Sequence, residues 1–173
     1  MSKTVDEFMT WCEVWQDTEY AALSVLVSAL VAVARVHQVN HWQASGEPYY
    51  GDHLLFERLY NAVNEEIDVV AEKAVGFGSY KAVDATKQLA QAAKIIEQLS
   101  NMNLGVPLTD DLVNSSLDVE LFVLELIDVV KVTLKANKKL SLGIDNMLAG
   151  IADKHESHVY LLRRRSLRDA NSQ

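Results

Sequence analysis

The residues whose types and spacing can do chemistry lie between His41 and Glu72. His53 and Glu57 stand four apart, as do Asp68 and Glu72, in a run from Asp52 to Val75 that lacks Gly and Pro and is closed by Gly76. Apolar residues recur there at helical spacing, so the run reads as one helix. With His53 at zero, Glu57, Asp68 and Glu72 fall at roughly 40, 60 and 100 degrees around the axis, on one stripe. The two pairs are roughly 22 Å apart along that axis, at about 1.5 Å rise per residue. One metal centre cannot span that distance. A second copy of the helix, packed antiparallel about a twofold axis near Ala62 and Val63, sets each His53/Glu57 pair beside the other copy's Asp68/Glu72 pair and makes two equivalent sites. His41 ends the preceding helix, just before the turn Ser45-Gly46-Glu47-Pro48, and can fold back toward His53. Imidazole and carboxylate together suit a first-row metal, with iron a natural candidate. His37 and Glu65, each one turn from a ligand, are expected to orient the ligands. Trp42 is expected to pack beside the site.

The run H-W-x3-G-x6-H-x3-E-x7-E-x2-D-x3-E-K, from His41 through Trp42, Gly46, His53, Glu57, Glu65, Asp68 and Glu72 to Lys73, resembles the signature of the Dps family, ferritin-like miniferritins of starved cells. The motif covers about a fifth of the chain. Glu57 stands where the family usually has Asp, and Lys73 where it usually has Arg. The resemblance implies that His41, His53 and Glu57 come from one subunit and Asp68 and Glu72 from its twofold mate. It further implies a dodecameric shell built from twofold dimers, in which Fe(II) is oxidised, with hydrogen peroxide preferred over dioxygen, and stored as mineral. The metal is expected as a di-iron site, or one iron plus a weaker second position, with zinc a possible substitute.

The elements that must position these residues are helical. The chain has 173 residues, 49% of them hydrophobic, with two prolines. That length suits one domain, residues 1–173, and the composition favours an all-α bundle. A formal charge of -8 suits a body that attracts cations rather than a general nucleic-acid surface. The single cysteine, Cys12, excludes an internal disulfide and is compatible with a reducing cytoplasm. Residues 1–18, with Trp11 and Trp15, read as a short amphipathic helix rather than a signal peptide. The apolar run Tyr20–Val36 falls short of the roughly 20 residues a bilayer needs and contains Ser24 and Ser28, so it begins a buried helix ending near Ala44.

A helix over residues 81–101, with Val83, Leu89, Ile95, Ile96 and Leu99 on one side, and a loop from Asn103 to Asp111 supply a long crossover between the second and third bundle helices. The architecture expected is therefore a ferritin-like four-helix bundle with an extra crossover helix and a short N-terminal helix. Ser115 or Ser116 is expected to cap the next helix, with Leu117, Leu121, Leu124 and Val132 facing the core and Glu120, Glu125 and Asp128 on the surface or an interface. The last helix is expected from about Leu140 to Arg168, with His155 and His158 in a structural or pore-lining role beside Asp153 and Glu156. A metal centre inside one bundle is disfavoured, because the first helix is apolar at its middle and no Glu-x-x-His occurs. Arg163, Arg164, Arg165 and Arg168 complement a helix C-terminus. A DNA-binding tail is the other reading of these arginines, weakened by the net charge and by the absence of a basic arm at the opposite terminus. Two further functions stay open: a DNA-condensing or structural shell with a weak or zinc-filled site, and a non-catalytic helical interaction protein.

Overall fold

The computed structural model describes residue 5, residues 21–78, 80–99 and 109–170, with side chains to Ser166. The expectations placed on residues 6–18, Cys12, Trp11 and Trp15 among them, lie outside the described residues, as does the side chain of Arg168. Among the described residues five helices follow in order: α1 (Ala21–Gln43), α2 (Tyr49–Phe77), α3 (Ala85–Leu99), α4 (Thr109–Ala136) and α5 (Leu142–Ala170), with a 3-10 turn at Tyr80–Val83 before α3. The all-α ferritin-like class holds.

α1 is apolar around nearly its whole circumference, and a helix of that kind must be covered on every side. It packs against α2, α4 and the crossover helix α3. By length and hydropathy α1 could cross a membrane, but most of its apolar window is buried inside the bundle. Buried Ser28 ties it to α3, donating to Gln91 Oε1 at 2.6 Å.

Polar contacts fix the directions. Asn40, near the end of α1, donates to Ser116 Oγ at 2.8 Å, near the start of α4, so α1 and α4 are antiparallel. Asp52, in the first turn of α2, accepts from Arg165 Nε at 2.6 Å and Nη2 at 3.1 Å, so α2 and α5 are antiparallel too. α2 and α4 therefore run the same way, which is what the long crossover provides.

Ends differ from expectation where local chemistry intervenes. α2 starts at Tyr49 and continues through Gly76 to Phe77, because Gly78 N–H closes on Ala74 O at 3.0 Å. Gly46 (φ 76°) supplies the left-handed turn before α2. α4 starts at Thr109, so Ser115 and Ser116 are not caps. Ser115 bonds back to Leu112 O at 3.0 Å, and Ser116 turns into the bundle. Lys138 (φ 57°) ends α4, and Ser141 caps α5 by accepting from Ile144 N–H at 3.1 Å. The core face of α4 is also rotated from the one expected: Leu121 and Val132 are exposed, while Val119, Val123, Leu126, Ile127 and Val130 are buried. Leu89 of α3 is exposed as well.

Asp52 is 1% exposed and is ion-paired with Arg165. Removing the guanidinium strands a buried charge, so Arg165→Ala should cost about 3 kcal/mol in urea unfolding. Asp52→Leu combined with Arg165→Met should recover most of that loss. An Arg165→Ala chain as stable as the parent would contradict this.

Candidate metal centres

Two groups of ligating side chains result. The first is at the turn end of the α1–α2 hairpin. His41 and His53 stack with ring centroids 3.7 Å apart and planes 25° apart. Each ring is held by the other residue's backbone: His41 Nδ1 donates to His53 O at 2.9 Å, and His53 Nδ1 donates to His41 O at 3.0 Å. A carbonyl acceptor at Nδ1 selects the tautomer in which Nε2 carries the lone pair, the form a metal requires. Tyr49 and Tyr60 flank the pair, with centroids 5.0 Å from His53 and 5.5 Å from His41.

Glu57 is half-buried one turn along α2, whereas Asp68 and Glu72 are exposed far down the same helix. The chain thus brings His41 to His53 and leaves Asp68 and Glu72 apart from them. Glu65 is exposed near those acids. Trp42 is exposed, with Arg35 Cζ 5.9 Å from its ring centroid. His37 does not reach the pair; it points into the bundle.

The second group lies there, where sequence reasoning expected no centre. Glu120 of α4 is fully buried, not a surface acid, and His155 and His158 of α5 are buried rather than pore-lining. Glu120 Oε1 accepts from His37 Nε2 at 2.7 Å and His158 Nδ1 at 3.1 Å, and its Oε2 accepts from His155 Nδ1. His155 Nε2 lies 3.0 Å from Oε2 of buried Glu66 of α2, in ion-pair contact but without hydrogen-bond alignment. All four bundle helices therefore contribute to one polar cluster. Glu120, His155 and His158 offer ligand atoms within 4.8 Å of one another and can hold a metal ion. By contrast Asp153 and Glu156 are exposed, as is Asp128.

A positional signal for this cluster exists in the sequence. Val113, Ser116, Glu120, Val123, Ile127 and Val130 alternate spacings of three and four, and all are buried. Leu30, Val33, His37 and Asn40 repeat the pattern on α1, Leu59, Val63, Glu66 and Val70 on α2, and Leu148, Ile151, His155, His158 and Leu162 on α5. A titratable residue in such a register points inward whatever its neighbours suggest.

Burial would raise the carboxyl of Glu120, but hydrogen bonds from His155, His158 and His37 hold it well below the usual range. For His155 burial works against the charged ring, yet the hydrogen bond to Glu120 and the nearby charges of Glu120 and Glu66 prevail and push it up to about 9. His37 is lowered, chiefly by burial. A neutral His37 accepts at Nδ1 from Ser116 Oγ, 3.0 Å away, while donating to Glu120.

No protein-family model matches the chain, and no curated protein matches it. Among solved structures, the X-ray structure of Dps from Thermosynechococcus elongatus is similar with a TM-score of 0.69 over 92% of this chain and 92% of that one, at 14% identity. The likeness is one of fold: the chain has a Dps-like ferritin fold.

The shifts predict how the metal-free protein responds to pH. His155 is raised from 6.5 to about 9, so its contribution is complete below 6.5 and is lost as pH rises through about 9. Glu120 is depressed, so its contribution is present above the ordinary carboxylate range and is lost on acidification; lowered His37 adds to the acid loss below 6.5. Thermal unfolding of chelator-treated protein should therefore fall from pH 6.5 to 9, by an amount on the order of 3 kcal/mol. His155→Gln should flatten that alkaline limb. A melting temperature that rises across the window would contradict the ionisation described.

Proposed function

We propose that this protein is a ferroxidase and iron-storage or detoxification shell, which oxidises Fe(II) at a site shared between two subunits. His41, His53 and Glu57 of one chain and Asp68 and Glu72 of its twofold mate bind the substrate iron. The observation that carries the reading is the reciprocal His41–His53 lock, which orders both rings with Nε2 available. The incompleteness of the site within one chain supports the twofold arrangement. So does the ligand stripe of α2, where exposed Tyr50, Leu54 and Val75 lie at roughly 60, 100 and 40 degrees from His53. Apolar side chains on that face suit burial against a second copy. The Dps-like fold supports a closed, dodecameric shell, working in the cytoplasm.

Hydrogen peroxide is the proposed oxidant. Two Fe(II) ions each give one electron, the O–O bond of one peroxide breaks, and two protons complete two waters. Carboxylates favour this outcome because they stabilise Fe(III) more than Fe(II). Paired electron delivery avoids release of hydroxyl radical. Exposed Glu and Asp side chains and the net charge of -8 draw cations to the shell. The DNA-condensing alternative gains little, since Arg165 is committed to buried Asp52.

The test is anaerobic Fe(II) loading followed by peroxide, read as the growth of ferric absorbance, with size-exclusion and light scattering for assembly. His53→Ala should slow the fast oxidation phase by 100-fold or more, roughly the loss expected when a ligand leaves a reacting ion, while the oligomer persists. Asp68→Ala should do the same, and mixing the two variants should restore part of the rate through hybrid interfaces. Unchanged kinetics in His53→Ala, or a monomeric parent protein, would remove the shared site.

A further inference from the structure

The buried cluster inside the bundle is separate from the proposed twofold site, and nothing in that function uses it. Its composition is unusual for a purely structural network. Apolar residues of similar volume generally stabilise a core at least as well as buried ionic groups. Here three imidazoles converge on one carboxylate, and a second buried carboxylate, Glu66, has neither oxygen in a hydrogen bond of proper geometry. Glu66 faces His155 at 3.0 Å and Lys154 Nζ at 3.5 Å. A buried acid in that condition is satisfied once the His155 ring turns to align its Nε2–H with Glu66.

We propose that Glu120, His155 and His158 bind a single first-row divalent cation in the centre of each bundle, with His37 completing the coordination and Glu66 orienting His155. The ligand atoms favour this class, since mixed imidazole and carboxylate donors suit such ions whereas calcium and magnesium take oxygen donors. Charge sets the number. The four-carboxylate bundle centres, with Glu-x-x-His on two helices and one Glu on each of the other two, balance two divalent ions. This cluster has two carboxylates and His-x-x-His on α5, which balance one.

The existing contacts already resemble a coordination sphere filled by protons. His155 Nδ1 and His158 Nδ1 both face Glu120, so an ion replaces hydrogens on those bonds and leaves His155 Nε2–H directed at Glu66. A carboxylate behind a ligating histidine is the usual outer partner of such a site. Donors around an ion at about 2 Å spread to roughly 3.4 Å from one another, so the side chains need only move apart by about 1 Å. His158 is the least buried of the three ligands, its side chain keeping 6% exposure.

Cobalt(II) is the probe, added to the full-length assembled protein carrying His41→Ala and His53→Ala, which removes the twofold ligands and keeps the bundle intact. The proposal expects saturable uptake of one Co(II) per chain, with the intense visible d–d absorption of a four- or five-coordinate nitrogen and oxygen site. In that background Glu66→Gln should weaken affinity 10- to 100-fold, and His158→Ala should abolish the intense band. His158→Gln serves as a second variant should the alanine chain fail to fold, with far-UV circular dichroism as the control. A spectrum like that of aqueous Co(II) in the unmodified cluster would overturn the proposal. So would an intense band that survives both His158 substitutions.

Discussion

A carboxylate sealed inside a protein must be compensated where it stands, and Glu120 is compensated by imidazoles from two helices that are remote in the chain. His37 from α1 and His155 and His158 from α5 all address it. Misregister of any one of those helices by a turn would leave a buried charge without its partners, at a cost of several kcal/mol. The cluster therefore couples the rotation and the axial position of α1, α4 and α5, and Glu66 extends that coupling to α2. A second tie, Asp52 with Arg165, acts at one end of the bundle in the same manner. Together they specify an arrangement that the apolar layers, mostly interchangeable Leu, Ile and Val, specify less strictly.

The two groups of histidines differ in chemistry as well as place. His41 and His53 donate from Nδ1 to backbone carbonyls, so Nε2 is the nitrogen each leaves for a metal, in rings ordered by stacking. His155 and His158 direct N–H groups at a carboxylate, so a metal must displace protons to enter. The first arrangement suits ions that arrive, react and leave at an open surface. The second suits an ion that stays. On the two proposals above, a fold that keeps both would separate turnover at the subunit boundary from a resident ion in the bundle.

Much of the architecture was legible because helical periodicity survives without tertiary information. The long α2, the apolar α1 and the crossover all follow from spacing alone, and the folding of His41 back to His53 follows from a short turn with a left-handed Gly46. The interior cluster was obscured for a physical reason. α4 is apolar over so much of its surface that two stripes compete, and choosing Leu117, Leu121 and Leu124 as the inner one turns Glu120 outward. The observed stripe passes through Ser116, Glu120 and Val123 instead. His155 and His158 then lacked visible partners, since those partners lie 35 or more residues away on other helices. Ser115 or Ser116 resembles a cap in the sequence because a serine near a helix start satisfies backbone N–H groups as readily as it satisfies an interior imidazole.

On the proposal above, the bundle interior exchanges protons for a metal around Glu120. Anomalous diffraction at the cobalt edge, from crystals of the full-length protein grown with Co(II), tests this most directly. The expected result is a peak about 2 Å from Glu120, His155 and His158, with Glu66 in hydrogen-bond contact with His155 Nε2. Peaks confined to His41 and His53, with the three imidazoles still bonded to Glu120, would contradict it.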